Sequence, residues 1–248
     1  MPMAMEWLRH LLGNPVPLSA LQRSRLRAIE SNIALPSDLS GISLAQARWV
    51  AADVESSGLD VWNDQLIAIG AVVVSGTNVQ LGESHEVVLK QTKISSQDNI
   101  LIHRISGRDQ QSGEDPVEAL LTFLEFVGNS PLVGYHANFD RIMLERACKK
   151  YLGTPVEKVW LDLAALAPAL VDTEHGSAKT RAAGRGHPLD WWLERYRIEV
   201  SARHNAAADA LATAQLFGIL LSTAEKQGVS NVESVMECAK NYEWLRRR

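Results

Sequence analysis

The sequence predicts an α/β fold with a mixed sheet, and three observations carry that prediction. Three strand-like runs come first, joined by short turns. Helix-like and strand-like segments then alternate. The composition is that of an ordinary globular chain, with 248 residues, 46% hydrophobic and 22% charged. Strands on short turns pair antiparallel, and strands separated by helices pair parallel. The order β-β-β-α-β-α-β-α-α therefore predicts a five-stranded mixed sheet, antiparallel in its first three strands and flanked by helices.

Residues 1–46 read as an N-terminal helical extension, punctuated by Pro15, Pro17 and Pro36. Its basic helical stretch, near Ser19 to Ser31, carries Arg23, Arg25 and Arg27. Trp49 to Val54 is short and mostly apolar and reads as the first strand. Leu66 to Val74 is strongly β-branched and runs into the turn residues Ser75, Gly76 and Asn78. A third strand is expected near Glu83 to Leu89. Asp115-Pro116 then opens a helix, because Asp suits the N-cap and Pro the first turn. Val117, Leu120, Leu121, Leu124 and Val127 keep helical spacing along it. Pro131 to Gly134 reads as a buried strand, Asp140 to Tyr151 as a helix, Val159 to Leu161 as a short strand and Leu163 to Leu170 as a helix. Residues 171–187 are rich in Gly, Ala and Ser, carry Lys179, Arg181 and Arg185, and read as a mobile loop. The last main helix is expected over about Asn205 to Ser222. The main domain thus spans 47–224, followed by a helical tail over 225–248.

Composition removes several function classes. No run approaches the ~18 apolar residues a membrane span needs, and MPMAMEWLRHLL has neither a positive n-region nor a small-residue cleavage site. Cys148 and Cys238 are too few for a disulfide framework. A cytoplasmic protein without membrane contact is expected. The net charge is -4, from 25 basic and 29 acidic residues, and the pI is about 6.0. A general basic surface for nucleic acid is therefore absent. Any polyanion must be held by local patches or by bound cations.

The groups that could do chemistry are acidic. Asp53 and Glu55, spaced i, i+2 on a strand, leave the same face and repel each other unless a cation or protons intervene. Asp140 follows the 131–134 strand through a turn, at the strand end where open α/β sheets place ligands. In His204–Asp209 a wholly helical segment would turn the two side chains ~140° apart. Asn205 as N-cap instead leaves His204 just outside the helix, able to swing over the site that Asp209 faces. Convergence of Asp53, Glu55, Asp140 and Asp209 calls for hard divalent cations, and two Mg²⁺ or Mn²⁺ ions suit carboxylate and water ligands. Two ions ~3.5–4 Å apart can clamp the attacking and leaving oxygens of a phosphodiester displacement.

Three stretches, WVAADVESSGLD at 49–60, LVGYHANFD at 132–140 and HNAAADALATAQLF at 204–217, together resemble one family. They look like the DEDDh 3′→5′ exonucleases of the ribonuclease H-like superfamily, the group that includes the proofreading subunit of bacterial DNA polymerase III. Supporting matches are Ile102-His103-Arg104-Ile105, Asp162, and Leu189 to Ile198, and the resemblance covers about residues 48–222. It implies a ribonuclease H-like fold and release of nucleoside 5′-monophosphates from single-stranded 3′ ends. It implies Asp53, Glu55, Asp140 and Asp209 as metal-holding catalytic carboxylates and His204 as the general base. Ser56, Ser57, Gly58 and Leu59 would line the terminal nucleotide, with Gly58 allowing close backbone approach and Leu59 packing on a base. His136 and Phe139 would complete the substrate-binding set. The chain departs from the family where members often carry His-Asn and this one has Tyr135-His136, which makes His136 a structural or substrate-orienting residue. Asp162 is read as the N-cap of the helix that follows it.

DNA is the favoured substrate. The alternatives are an RNA-trimming exoribonuclease of the same fold and a non-catalytic binding module. The latter would use the Arg23/Arg25/Arg27 helix, the 175–187 loop and Arg246-Arg247-Arg248 as phosphate contacts. The terminal extensions could hold a protein partner or form a homodimer.

Overall fold

The computed structural model describes residues 17–34, 36–171 and 186–246. Residues 1–16, the 172–185 part of the basic loop with Lys179, Arg181 and Arg185, and Arg247 and Arg248 lie outside the described residues.

Strands β1 (Arg48–Ser56), β2 (Leu66–Ser75) and β3 (Asn78–Val88) form the expected meander. Strands β4 (Leu132–Gly134) and β5 (Trp160–Asp162) add in parallel on the other side of β1, so the sheet order is β3-β2-β1-β4-β5. Strand β3 starts five residues before the sequence-based bound. Ser75 pairs with Asn78, and Gly76 turns the chain with φ +56°. The start of β3 lies on the sheet edge, largely exposed, and its apolar alternation is only Val79 and Leu81 before Gly82, too short to announce a strand.

The helices are α1 (Ala20–Ser31), α2 (Gln97–His103), α3 (Gly107–Ser112), α4 (Pro116–Val127), α5 (Asn138–Tyr151), α6 (Leu163–Val171), α7 (Leu189–Tyr196), α8 (Ala206–Lys226) and α9 (Val232–Arg246). Helices α2 and α3 were not expected as helices. Each is about two turns long and begins at a serine cap, Ser96 or Ser106. Asp115 caps α4 as predicted, accepting from the Val117 and Glu118 N–H groups.

Alternation along β1 divides the interior in two. Val50, Ala52 and Val54 face a core shared with α1, α4 and α5. Trp49 and Ala51 face a core shared with α6, α7, α8 and α9. There Trp49 meets Phe217 of α8 edge to face, with ring centroids 5.0 Å apart, an arrangement adding ~0.5–1.5 kcal/mol to the burial itself. Strand β2 is buried along its whole length except Ser75, because helices cover both of its faces.

The terminal elements join this body. Helix α1 starts with a Ser19–Gln22 capping box and buries Leu26 and Ile29. Arg25 is committed to Glu118 and Glu125 of α4 at 2.5 and 2.7 Å, and the Arg23 guanidinium donates to the Leu18 carbonyl. Arg25 thus docks α1 to α4 and is not free for the phosphate contact that the binding-module alternative gives it. Helix α8 runs to Lys226, and α9 buries Val232, Val235 and Ala239 against the same core as α6. Among the described helices only α8 is long and apolar enough to cross a membrane, and it lies buried against the sheet.

Candidate active site

The site forms where β1 ends. Asp53 and Glu55 leave β1 on the face that α8 covers. Asp53 lies opposite Gly70 of β2, and the register slips by one residue between Glu55 and Ser56. A bulge there ends the ladder and releases the chain into the β1–β2 loop.

Gly70 decides how close α8 comes. A Cβ at this position would overlap the backbone of Ala206 and Ala207. The first turn of α8 therefore rests directly on β2, beside Asp53, and carries Asp209 into the site. Asn205 caps that turn as predicted, its side-chain oxygen accepting from the Ala208 N–H at 3.0 Å. His204 stands just outside the helix, exposed, with φ +59°.

The outcome is a tight acidic set. Ligand oxygens of Asp53, Glu55 and Asp209 all lie within 4.8 Å of one another. Asp140, buried in the first turn of α5, accepts from the Val54 N–H at 3.3 Å and so stands on the other side of β1's end. Burial, then repulsion from Asp140, Asp209 and Glu55, holds the Asp53 carboxyl well above the usual range. Burial raises Asp140 similarly, with Asp162 and Glu55 adding to it and the Val54 N–H opposing. Burial followed by Asp209 pushes Glu55 up to about 7, against the Arg203 guanidinium. Such a set is costly as four anions, and hard oxygen donors at this spacing fit divalent cations.

Arg203 was not singled out in the sequence. Its guanidinium donates to Asp209 Oδ1 and, at 2.6 Å, to Asp190 Oδ1 of α7. Asp209 Oδ2 accepts from the His204 N–H at 3.0 Å, so both oxygens of this carboxylate are oriented. Gly70 and Arg203 share a faint signal. A glycine inside the β-branched run LIAIGAVVV marks close backbone approach, and an arginine directly before H-x4-D offers a counter-charge.

The remaining predicted residues are also placed. Ser56 Oγ donates to the Gly58 carbonyl at 2.6 Å, and Ser57 Oγ to Asp64 at 2.8 Å. Gly58 has no room for a side chain, because a Cβ would overlap the Asp64 carboxyl. Leu59 is 89% exposed. Phe139 is half-buried against the α4–α5 core. His136 is exposed with φ +59°, and its N–H donates to Asp162 Oδ1 at 2.9 Å. The same oxygen accepts from the Ala164 N–H at 2.9 Å, the capping role read for Asp162.

Comparison with known proteins agrees with this geometry. The family model RNase_T, described as Exonuclease, matches residues 50–217. The DNA polymerase III PolC-type of Thermotoga petrophila is 30% identical over 196 residues, which is 78% of this chain and 13% of that protein. The Bacillus subtilis PolC-type polymerase is 28% identical over 194 residues, again 78% of this chain and 13% of the relative. The chain thus spans a small part of the curated relatives it matches. Among solved structures, E. coli Exonuclease I in complex with a dT13 oligonucleotide superposes with a TM-score of 0.60 at 18% identity, over 74% of this chain and 43% of that one. The apo form of Exonuclease I gives 0.58 at 17% identity, over 73% of this chain and 45% of that one. At that identity the likeness speaks for the fold. With its carboxylates gathered at the end of β1 and a family match running from β1 into α8, the chain belongs to the RNase_T family of exonucleases.

Proposed function

We propose that this chain removes nucleotides from the 3′ ends of single-stranded nucleic acid, DNA in preference to RNA, and releases nucleoside 5′-monophosphates. The observation that carries the reading is the convergence of Asp53, Glu55 and Asp209 within 4.8 Å, with Asp140 beside them. These four carboxylates would hold two divalent cations, Mg²⁺ or Mn²⁺. When bound, such ions acidify the attacking water and neutralise charge on the displaced oxygen.

The chain's own residues have separable tasks. Asp53 feels both the Glu55–Asp209 pair and Asp140, so it would be the carboxylate best placed to serve both ions. His204, exposed ahead of α8, accepts the proton of the attacking water as general base. The His204 N–H bond to Asp209 fixes the base relative to the carboxylates. Leu59 and the turn Ser56-Ser57-Gly58 border the terminal nucleotide. His136 and Phe139 lie on the Asp140 side, where His136 orients the strand.

The test is hydrolysis of matched single-stranded DNA, duplex DNA and RNA oligonucleotides with Mg²⁺, with Mn²⁺ and with EDTA. Stepwise shortening from the 3′ end, fastest on single-stranded DNA and abolished by EDTA or Asp53→Ala, is expected. Intact strands in the presence of metal would sink the proposal.

A further inference from the structure

The loop between β1 and β2 is braced more heavily than a turn of its length requires. The Ser57 N–H donates to the Gln65 carbonyl at 2.9 Å, and the Asp60 N–H to Asp64 Oδ2 at 2.8 Å. The Trp62 N–H and the Asn63 side-chain amide donate to the Asp60 carboxylate at 2.9 and 2.7 Å. From α5 the Arg146 guanidinium donates to the carbonyls of Val61, Trp62 and Asp64. These bonds do not fold the loop's apolar side chains inward. They hold Trp62 73% exposed and Leu59 89% exposed.

A second element shares this surface. The Asn99 side-chain amide of α2 donates to the Ser57 carbonyl, and α2 adds Leu101, 71% exposed, and Ile102, 51% exposed. Four large exposed apolar side chains therefore sit on two tied elements, the loop that leaves the end of β1 and helix α2. A rigid segment that keeps an indole in water is preorganised for a partner, because the ordering cost is already met before binding.

Charge identifies the partner. The chain has a net charge of -4, and its cleft gathers four carboxylates. A net charge of -4 supplies no general phosphate attraction, so contacts to the bases add to whatever the cations and local basic patches hold. A flat, exposed indole face on the loop that leaves the acidic site fits a nucleobase, and only unstacked bases present a free face. The loop continues directly from Glu55 and Ser56, which puts it within reach of a strand whose 3′ end lies at the carboxylates.

We propose that Trp62 stacks on a base upstream of the terminal nucleotide and thereby selects single strands over duplex ends. This deepens the exonuclease reading above and rests on it. The experiment compares wild type, Trp62→Ala and Trp62→Phe on two substrates. One is a single-stranded DNA of about eight nucleotides, within the usual footprint of such grooves. The other is the nitrophenyl ester of thymidine 5′-monophosphate, which has no upstream base. Trp62→Ala is expected to raise KM on the strand about ten-fold, the effect of losing one stacked base, with kcat nearly unchanged. Trp62→Phe recovers most of the loss, and all three proteins hydrolyse the ester equally. An unchanged KM, an equal loss on the ester, or a Phe variant as poor as the Ala variant overturns the assignment. If wild type cleaves neither substrate, the exonuclease reading fails by itself. Anisotropy of the labelled strand with Ca²⁺ present then still decides Trp62, since equal Kd values for wild type and Trp62→Ala refute stacking.

Discussion

Removing one negative charge from the acidic cluster should stabilise the metal-free protein, and only at higher pH. Glu55 is pushed from 4.5 to about 7 in the folded chain, by burial first and Asp209 second. An acid whose folded pKa is raised binds more protons folded than unfolded between those two values. Stability therefore falls as pH rises through that window and levels off above it. At ~1.4 kcal/mol per pKa unit the penalty is about 3 kcal/mol. Glu55 keeps partial solvent contact, and discounting for screening leaves about 2 kcal/mol. Glu55→Gln preserves the shape and removes the charge. In EDTA at pH 8 the variant should unfold ~4–8 °C above wild type, at ~2–4 °C per kcal/mol for a chain of this size. At pH 4.5 the two should melt together. Saturating Mg²⁺ at pH 8 should reverse the order, because the ions reward the carboxylate that the variant lacks. The assay is thermal unfolding by circular dichroism at both pH values, with and without Mg²⁺. A variant equally stabilised at pH 4.5 and 8, or less stable than wild type at pH 8 in EDTA, would refute the electrostatic reasoning.

Two further outcomes follow from the packing around this cluster. Gly70→Ala must push α8 off β2, since the new methyl overlaps the Ala206–Ala207 backbone; a loss of ~1–3 kcal/mol in chemical denaturation and weaker Mn²⁺ binding by calorimetry are expected, and an unchanged Mn²⁺ affinity would contradict it. Arg203→Gln leaves the 7%-exposed Asp209 side chain without its cation, whereas Asp190→Asn touches a partner that is 69% exposed; the former should cost metal-free stability about 3 kcal/mol or more and the latter under 1 kcal/mol, and equal melting shifts would show that the two pairs are equivalent.

The sequence exposed what periodicity and punctuation can encode. The β-branched run 66–74, the Asp115-Pro116 start of α4 and the Asn205 cap of α8 each rest on local chemistry, and each stands in the structure where it was read. The carboxylates were legible because strand alternation sends Asp53 and Glu55 to one face, and a cap places Asp209 one turn into its helix. What stayed hidden depends on contacts across long separations. Gly70 matters only because residues 206 and 207 press on it, and Arg203 only because it sits between α7 and α8. Helices α2 and α3 are too short to show an apolar period, and at the edge-lying start of β3 the alternation stops at Val79 and Leu81. Which partner the arginines of α1 would dock on was hidden too, because nothing local tells that Glu118 and Glu125 take up Arg25.

The backbone at the two cleft histidines separates folding from chemistry. His136 and His204 both have φ +59°, where a side chain costs about 1 kcal/mol or more. Each offsets that cost by donating its N–H to a carboxylate, Asp162 for His136 and Asp209 for His204. The strained turn lets the imidazole of His204 stand outside α8 while its backbone stays tied to the acidic cluster. His204→Ala and His204→Gly both remove the imidazole and keep the N–H, but only glycine tolerates this φ without strain. Glycine also frees the unfolded chain, which returns ~0.4–1 kcal/mol of the gain. The Gly variant should therefore be no less stable than the Ala variant, and both should lose kcat by ~10²–10⁴-fold if the imidazole is the base. Denaturation and single-turnover hydrolysis measure the two quantities separately. Near wild-type rates in either variant would remove His204 from the chemistry. A Gly variant clearly less stable than Ala would mean that residue 204 is not held in the left-handed region once the imidazole is gone, and would refute strain as the difference between the two variants.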